Sequence, residues 1–436
     1  MQKALIVICG VLWCSACGAP SLRYKYEVNK LAADGKFEQA ADLVGAKRKH
    51  VYGARDTLLY DLDRSVLLHD ANQPVPSDEL LADAQQHITD AYTQSVSASA
   101  SRLLVNDLTT PYYAADYETA LTFVYRAMNF LQQNDVMSAG VEARKAVFFL
   151  DHLRAQKTKG YTDDPFVQYM ASLIFESTGE LSDARIARQN ALNAYQKRGW
   201  HVPNFPVPVN ASQYGEVIIV HYVGQVPLKK SQTIQLAWHR ILAFANAPVE
   251  NAGPISPEVE NAIRAGITGS SITVAYPVLE NQPYDVVAST AEVNGQRVPL
   301  QPMSNVSELA IKDLEYKMPG IWFRLATRAV LRRIAAVQAR HAVESARDNK
   351  SHASSLGWLA EMAVGVWGAA VEKADTRQWF TLPAAIYMTR LFVTPGTQDI
   401  GLLLQNENGN IVATHTFKDI TVPQGGRVFL HHRTAQ

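Results

Sequence analysis

The ten residues Gly199 to Pro208, GWHVPNFPVP, divide the sequence into two halves of different period. Its three prolines prevent a helix from continuing through this stretch. Before it, from about Leu22 to Arg198, apolar residues recur with the period of an α-helix, and after it they recur with the period of a strand. The stretch therefore predicts an α+β protein with a helical domain at residues 17–200 and a strand-rich domain at residues 201–436.

The helical half contains a repeated spacing, in which a turn-forming residue stands five positions before an alanine. The pairs are Gly35 and Ala40, Asn134 and Ala139, and Gly179 and Ala184, and further alanines follow seven positions later at Ala146 and Ala191. A turn residue closes one helix, and small residues on the next allow close approach, as in tetratricopeptide repeats. The repeats are irregularly spaced. We therefore predict a degenerate tetratricopeptide-like array, and the alternative is a generic bundle of helical hairpins.

The second half predicts mainly antiparallel strands with two inserted helices. The strands are Glu216–Val223, Thr233–Ala237, Ser271–Tyr276, Val286–Val293, Ala385–Val393, Ile400–Gln405, Ile411–Phe417 and Arg427–His431. Asn294-Gly295 predicts a turn, and Asn408-Gly409 predicts a hairpin turn of type I′. The helices are expected from about Trp322 to Arg347 and from about Ser355 to Lys373. The apolar part of the second, Leu356–Val371, is too short to span a bilayer and favours a buried packing helix.

The N-terminus indicates export. Residues Met1–Ala16 resemble a signal peptide with an apolar core at Ala4–Trp13, which is too short for a transmembrane helix. Small residues lead directly into Cys17, the arrangement of a bacterial lipobox, although Cys14 stands where leucine is usual. We therefore predict acylation of Cys17, and Gly18 after it favours the outer membrane. The alternative is an ordinary secretory signal with incidental cysteines.

Charge and cysteine usage narrow the function classes. The chain has 41 Lys and Arg and 41 Asp and Glu, so the basic excess of a nucleic-acid-binding protein is missing. Its three cysteines are Cys9, Cys14 and Cys17, so a mature chain that begins at Cys17 contains no internal disulfide.

Two constellations are candidates for binding. Arg324, Arg328 and Arg332 recur every four residues and predict a basic helix surface for anionic headgroups, wall carboxylates or an acidic partner. A solvated face or ion pairing within the fold is the alternative. Asp375, Arg377 and Trp379 follow the second predicted helix. Their types favour a structural corner, in which Asp375 caps, Arg377 pairs and Trp379 anchors the last strands, and a ligand site is the alternative.

The sequence contains no template for catalysis or for a metal site. The twelve histidines do not provide an H-E-x-x-H arrangement, and His431-His432 would point to opposite faces of a strand. A G-x-S-x-G elbow and a phosphate-binding glycine loop are missing too. We therefore expect neither cofactor nor metal.

Several motifs together carry a family resemblance: Tyr112-Tyr113, Tyr117-Glu118, Tyr125 to Leu131, Val141 to Lys145, and Ala374 to Trp379. With the lipobox, they resemble a family of bacterial outer-membrane lipoproteins of uncharacterised activity, whose N-terminal halves are tetratricopeptide-like. The resemblance implies no catalytic residue.

The expected function is that of a scaffold or regulator of envelope assembly, anchored in the outer membrane and facing the periplasm. Its partner would be an envelope protein or a cell-wall component. The competing class is a cell-wall-active or other hydrolytic enzyme with an unrecognised site near Asp375 and Arg377.

Overall fold

The computed structural model describes residues 20–95, 110–156, 160–237, 240, 271–345 and 373–436. The predicted signal peptide, Cys17 and the apolar segment Leu356–Val371 lie outside these residues, as does the side chain of Arg332. Their predictions therefore stand as predictions.

Helical hairpins make up the first half of the chain. The helices are α1 (Leu22–Ala33), α2 (Phe37–Ala46), α3 (Thr57–Asp70), α4 (Pro74–Ser95), α5 (Asp116–Gln132), α6 (Val136–Ala155), α7 (Pro165–Thr178) and α8 (Leu181–Arg198). Each helix packs on the next one along the chain, and α5 also contacts α3 and α7. The first helices of the last three hairpins therefore form one continuous inner layer.

The predicted turn residues lie where the helices end. Gly35, Asn134 and Gly179 follow α1, α5 and α7, and their φ angles are 72°, 58° and 82°. This left-handed conformation ends a helix, and glycine and asparagine tolerate it best. The alanines of the repeated spacing are all buried: Ala40, Ala139, Ala146, Ala184 and Ala191. The predicted turns are confirmed.

The second half is rich in antiparallel strands, so the predicted α+β class is confirmed. Its strands are β1 (Gly215–Val223), β2 (Leu228–Ala237), β3 (Ser271–Glu280), β4 (Ala288–Val293), β5 (Gln296–Pro299), β6 (Gln301–Asn305), β7 (Ala385–Val393), β8 (Gly396–Gln405), β9 (Ile411–Val422) and β10 (Arg427–Thr434). They form sheets of order β10-β1-β7-β6, β2-β3 and β5-β4-β8-β9, and β1 with β10 is a parallel pair. Strands β5 and β6 were not predicted.

The sheet β10-β1-β7-β6 is the middle layer of the molecule, and we call it the central sheet. All nine residues of β1 are buried. Val217 and Ile219 pack with residues of β4 and β8, whereas Ile218, Val220 and Tyr222 belong to the core shared with the helices. One face of the central sheet thus packs on the helical half, and the other face packs on the third sheet, β5-β4-β8-β9. Burial on both faces explains why β1 is apolar at nearly every position.

The two Asn-Gly pairs form different turns. Asn294 and Gly295 both have positive φ, 48° and 78°, as a type I′ turn requires. At the second pair only Gly409 has positive φ, so the type I′ prediction for Asn408-Gly409 is wrong, although the hairpin exists. The physical reason is the Asn406 side chain, whose Oδ1 accepts hydrogen bonds from the N–H groups of Asn408 (3.1 Å) and Asn410 (3.0 Å). It stabilises a longer loop.

Helix α9 (Val306–Ser345) begins well before the predicted start at Trp322. Pro319 within the helix misled the prediction, because proline usually ends a helical pattern. The true start has a capping signal, since the Oδ1 of Asn305 accepts a hydrogen bond from the N–H of Glu308 at 3.0 Å.

Candidate functional site

The predicted Asp375, Arg377 and Trp379 belong to a connecting segment that enters β7, residues 374–384, which we call the docking segment. Trp379, Phe380 and Leu382 are fully buried, in the same core as the inner helices. The segment therefore joins the two halves of the chain.

Arg377 is the centre of an ion-pair network. Its Nε and Nη2 donate to the two carboxylate oxygens of Asp375, at 2.9 and 2.8 Å. Its Nη1 donates to Oδ1 of Asp56, directly before α3, at 2.8 Å, and to the carbonyl of Thr110 at 2.7 Å. Such charge-assisted, bidentate pairs are strong and directional. Arg377 is only 3% exposed, so its guanidinium holds the docking segment against the helical half.

Two helix carboxylates accept backbone hydrogen bonds from the docking segment. The N–H of Trp379 donates to Glu118 of α5 at 3.0 Å, and the N–H of Phe380 donates to Asp63 of α3 at 3.2 Å. A tyrosine positions each acid. The hydroxyl of Tyr112 donates to Glu118, and the hydroxyl of Tyr52, from the turn before α3, donates to Asp63 at 3.0 Å. Two neighbouring helices of the inner layer thus bind the backbone of the docking segment through one acid each.

Lysines bind the carbonyl groups of the same segment. The Nζ of Lys25 in α1 donates to the carbonyl of Thr376 at 2.6 Å, and the Nζ of Lys229 in β2 donates to the carbonyl of Arg377 at 3.0 Å. Burial disfavours the charged amines, and the two lysines also repel each other. These effects lower the pKa of Lys25 to about 7, and burial also lowers the pKa of Lys229.

The acids of the network respond differently to burial. Burial raises the pKa of Asp63 well above its usual value, against the effect of its hydrogen bonds. Burial also opposes ionisation of Asp375, but the hydrogen bonds and charge of Arg377 outweigh it and lower the Asp375 pKa. The carboxyl of Asp56 also pairs with Arg377, but burial outweighs this pairing and raises the Asp56 pKa.

The structure brings Asp375 and Arg377 into direct contact and places Trp379 two residues further along, against the ring of Tyr125 at 5.9 Å. The Nε, Nη1 and Nη2 atoms of Arg377 all donate to protein groups, and the Trp379 side chain is fully buried.

The sequence reading missed the residues on the helical side of this site: Lys25, Asp56, Asp63 and Glu118. A signal exists for Asp63, because α3 (TLLYDLDRSVLLHD) has no continuous polar face and yet carries acids. Charged residues in a helix that is apolar all round must be buried with a partner. The identity of that partner, more than three hundred residues away, has no local signal.

The predicted basic surface on α9 is not open. Arg328 is 7% exposed and Arg324 is half-buried. Their described neighbours in residues 323–330 are buried too, so this part of α9 packs on several sides and the prediction of a solvent-facing stripe is wrong at Arg328.

A second polar cluster joins α7 to the central sheet. Arg427 of β10 donates to Glu176 of α7 at 2.6 Å and to Glu216 of β1 at 2.7 Å. Arg390 of β7 also pairs with Glu216. Arg433 of β10 also pairs with Asp70 of α3 at 3.4 Å, so ionic contacts join the central sheet to both α3 and α7.

The adjacent histidines of β10 point to opposite faces, as the sequence predicts. His431 stacks on His69 of α3, with ring centroids 4.2 Å apart, and His432 stacks on His415 of β9 at 4.1 Å. Over the described part of the chain, no group of three or more His, Cys, Asp and Glu side chains could hold a metal ion.

None of the helices in the described ranges is both long and apolar enough to cross a membrane. Comparison with known protein families finds no matching family, and comparison with curated proteins finds no significant match.

Proposed function

We propose that this protein is a bacterial lipoprotein, anchored in the outer membrane through Cys17, that acts in the periplasm as a scaffold or regulator of envelope assembly. Its helical half is a tetratricopeptide-like array that binds an envelope protein or a cell-wall component. The inner side of this array already holds the docking segment. A partner therefore binds to the outer side.

One observation carries the proposal. On α6, Met137, Val141 and Phe148 are 66%, 44% and 76% exposed. Their spacing of four and seven residues places them on one stripe of the helix, opposite the buried alanines Ala139 and Ala146. Exposed apolar side chains grouped in this way are typical of protein-protein interaction surfaces.

The N-terminal sequence supports the location, and mass spectrometry of the mature N-terminus tests it. The expected product begins at Cys17 and carries the acyl chains on that residue. An unmodified N-terminus, or one produced by cleavage elsewhere, contradicts the anchor.

Partner binding is tested with Phe148→Glu in the full-length protein. Affinity capture from envelope extracts, followed by direct binding to the purified partner, should show loss of the partner with this variant. Ile411→Glu is the matched control, because Ile411 is also exposed, at 50%, but lies on β9. Retention of the partner by Phe148→Glu would remove α6 as the binding surface.

The competing function is hydrolysis near Asp375 and Arg377. It is tested by incubating the protein with purified wall material, with Asp375→Asn as the comparison. Turnover that disappears in a folded Asp375→Asn protein would favour the enzyme over the scaffold.

A further inference from the structure

A run of basic residues follows α2 and forms an exposed turn, residues 47–55, which we call the basic turn. Its exposed cations are Lys47, Arg48, Lys49 and Arg55. Part of it is wound as a single π-helical turn, Arg48–Tyr52. In a chain with equal numbers of basic and acidic residues, this is a local excess of positive charge.

The basic turn has few acidic neighbours, although Asp56 and Asp61 lie within electrostatic range of Arg55 and Arg48. The sequence has no Asp or Glu between Asp42 and Asp56, and Asp56 is buried and paired with Arg377. In the described ranges, no carboxylate forms an ion pair with Lys47, Lys49 or Arg55, and Arg48 lies over the ring of Tyr60, 4.6 Å from its centroid. The charges therefore face solvent.

The basic turn lies beside the start of α1. Helix α2 returns along α1, so its C-terminus comes back to the start of α1. Direct contact shows this, because Tyr24, in the first turn of α1, and Tyr52, in the basic turn, have hydroxyls 3.4 Å apart and ring centroids 6.1 Å apart.

The length of chain between Cys17 and the described structure is short. Three peptide units separate Cys17 from Pro20, and they span at most about 11 Å. An acylated Cys17 therefore holds the first turn of α1, and with it the basic turn, beside the membrane surface.

We propose that the basic turn binds the phosphate groups of anionic lipids in the membrane that holds the anchor, and so fixes which side of the protein faces the bilayer. This inference rests on the proposed acylation of Cys17. Lysine and arginine next to an anionic bilayer strengthen binding by roughly fivefold each, and salt weakens the effect. A lipid anchor together with such a patch gives both attachment and orientation.

The test uses the mature chain with Cys17→Ser, so that binding without the anchor is measured. It is mixed with vesicles of phosphatidylcholine alone or of phosphatidylcholine with phosphatidylglycerol, and bound protein is sedimented. We expect binding to the anionic vesicles only, with weakening as ionic strength rises. Equal binding to both vesicles, or to neither, overturns the proposal.

Variants locate the binding surface. Replacing Lys47, Lys49 and Arg55 together by alanine should weaken binding on the order of 100-fold, and Arg48 is kept because it packs on Tyr60. The control replaces three other exposed cations, Arg185, Lys197 and Lys418, by alanine and changes the net charge equally. An equal loss in the control shows general charge attraction and contradicts a specific surface.

The acylated protein gives a second readout. On anionic vesicles, Lys47 and Lys49 should be protected from an amine-reactive label, whereas Lys197 and Lys418 should react as they do in solution. An unmodified Cys17 in cell-derived protein contradicts the proposed anchor, whereas failure of the vesicle and labelling experiments with a correctly acylated Cys17 contradicts the basic turn alone.

Discussion

The two faces of the central sheet are buried in different ways. The face toward β4 and β8 is mainly apolar, with Val217, Ile219 and Leu391 in its core and the stacked His221 and His432 beside them. The face toward the helices carries charged residues, among them Glu216, Arg390, Arg427 and Arg433. The docking segment adds Arg377 and its carboxylates to this side of the molecule.

The difference shows how each half is fixed. Apolar packing accepts side chains of similar volume and is not strongly directional. Buried ion pairs require particular partners at particular distances, and loss of one partner leaves an uncompensated charge in the interior. We infer that the face toward β4 and β8 supplies general stability. The face toward the helices determines how the helical half is oriented on the central sheet.

The largest expected effect follows from removing the central charge of the docking segment. Arg377→Ala leaves Asp56 without its cation in a buried place, and should lower the free energy of unfolding by about 3–5 kcal/mol. Denaturant unfolding measures it. Arg297→Ala is the control, because Arg297 is 63% exposed in its pair with Glu292. A loss as small as that of the control would show that the docking segment does not hold the halves together.

A smaller, pH-dependent effect is expected on the same side of the sheet. Burial lowers the pKa of His69 to about 4. An unfolded histidine titrates near 6.5, so between these values the unfolded chain takes up a proton that the folded chain does not, and His69 costs stability as pH falls. His69→Gln still supplies a hydrogen-bond donor for Asn129 and does not titrate.

As pH falls from 6.5 to 4, the unfolding free energy of His69→Gln should therefore increase relative to that of the wild type, by up to about 1.4 kcal/mol per pH unit. The pKa of neighbouring Asp70 is raised to about 7 by burial and acts in the opposite direction. Both proteins contain Asp70, so its contribution cancels to first order. The difference reports His69 together with its effect on His431, which stacks on it and whose pKa is lowered by burial and by His69. Exposed His50→Gln is the control. Parallel pH profiles of His69→Gln and the wild type would contradict a buried neutral imidazole.

Overpacking of the helical array should cost less. Ala139 of α6 is completely buried, so Ala139→Leu forces neighbouring helices apart and should destabilise by about 1–3 kcal/mol. Thermal unfolding followed by circular dichroism measures the change. Val141→Leu, at an exposed position of the same helix, should leave the melting temperature almost unchanged. No difference between the two variants would contradict a close crossing at Ala139.

The smallest effect is expected on the apolar face of the central sheet. Ile219→Val removes one methylene from the core between β1 and the third sheet, and should cost about 0.5–1.5 kcal/mol. No titrating group is removed, so the cost should be the same at pH 5 and pH 7 when measured by denaturant unfolding. If the loss of unfolding free energy caused by Ile219→Val changed strongly with pH, this face of the central sheet would not be stabilised mainly by apolar packing.

Much of the fold was predictable because its signals are local. The apolar, β-branched run EVIIVHYV in β1, the glycine and asparagine turns after the helices, and the alternation of His431 and His432 each depend on a few consecutive residues. Errors arose where a side chain altered a local rule. The Asn406 side chain stabilises a longer loop where a type I′ turn was predicted. Helix α9 continues through Pro319, although proline usually ends a helical pattern.

The candidate site was predictable only in part. Asp375, Arg377 and Trp379 stand out as a charged and aromatic corner in an apolar region. The structure pairs Asp375 with Arg377 and encloses Trp379 in the core. Their partners Asp56, directly before α3, and Glu118 of α5 stand hundreds of residues earlier in the chain. A sequence shows that a buried charge needs a counter-charge, but many residues could supply it.

The sequence by itself determined the helical and strand-rich halves and the absence of familiar catalytic templates, because each of these is a matter of composition or short-range spacing. Acylation of Cys17 stays a prediction from the N-terminal sequence. Only the tertiary structure decided that Arg328 is enclosed, that the docking segment is bound by the inner helices, and that the basic turn lies beside the start of α1. These facts depend on contacts between distant parts of the chain, and such contacts are selected by packing and charge pairing in the folded molecule.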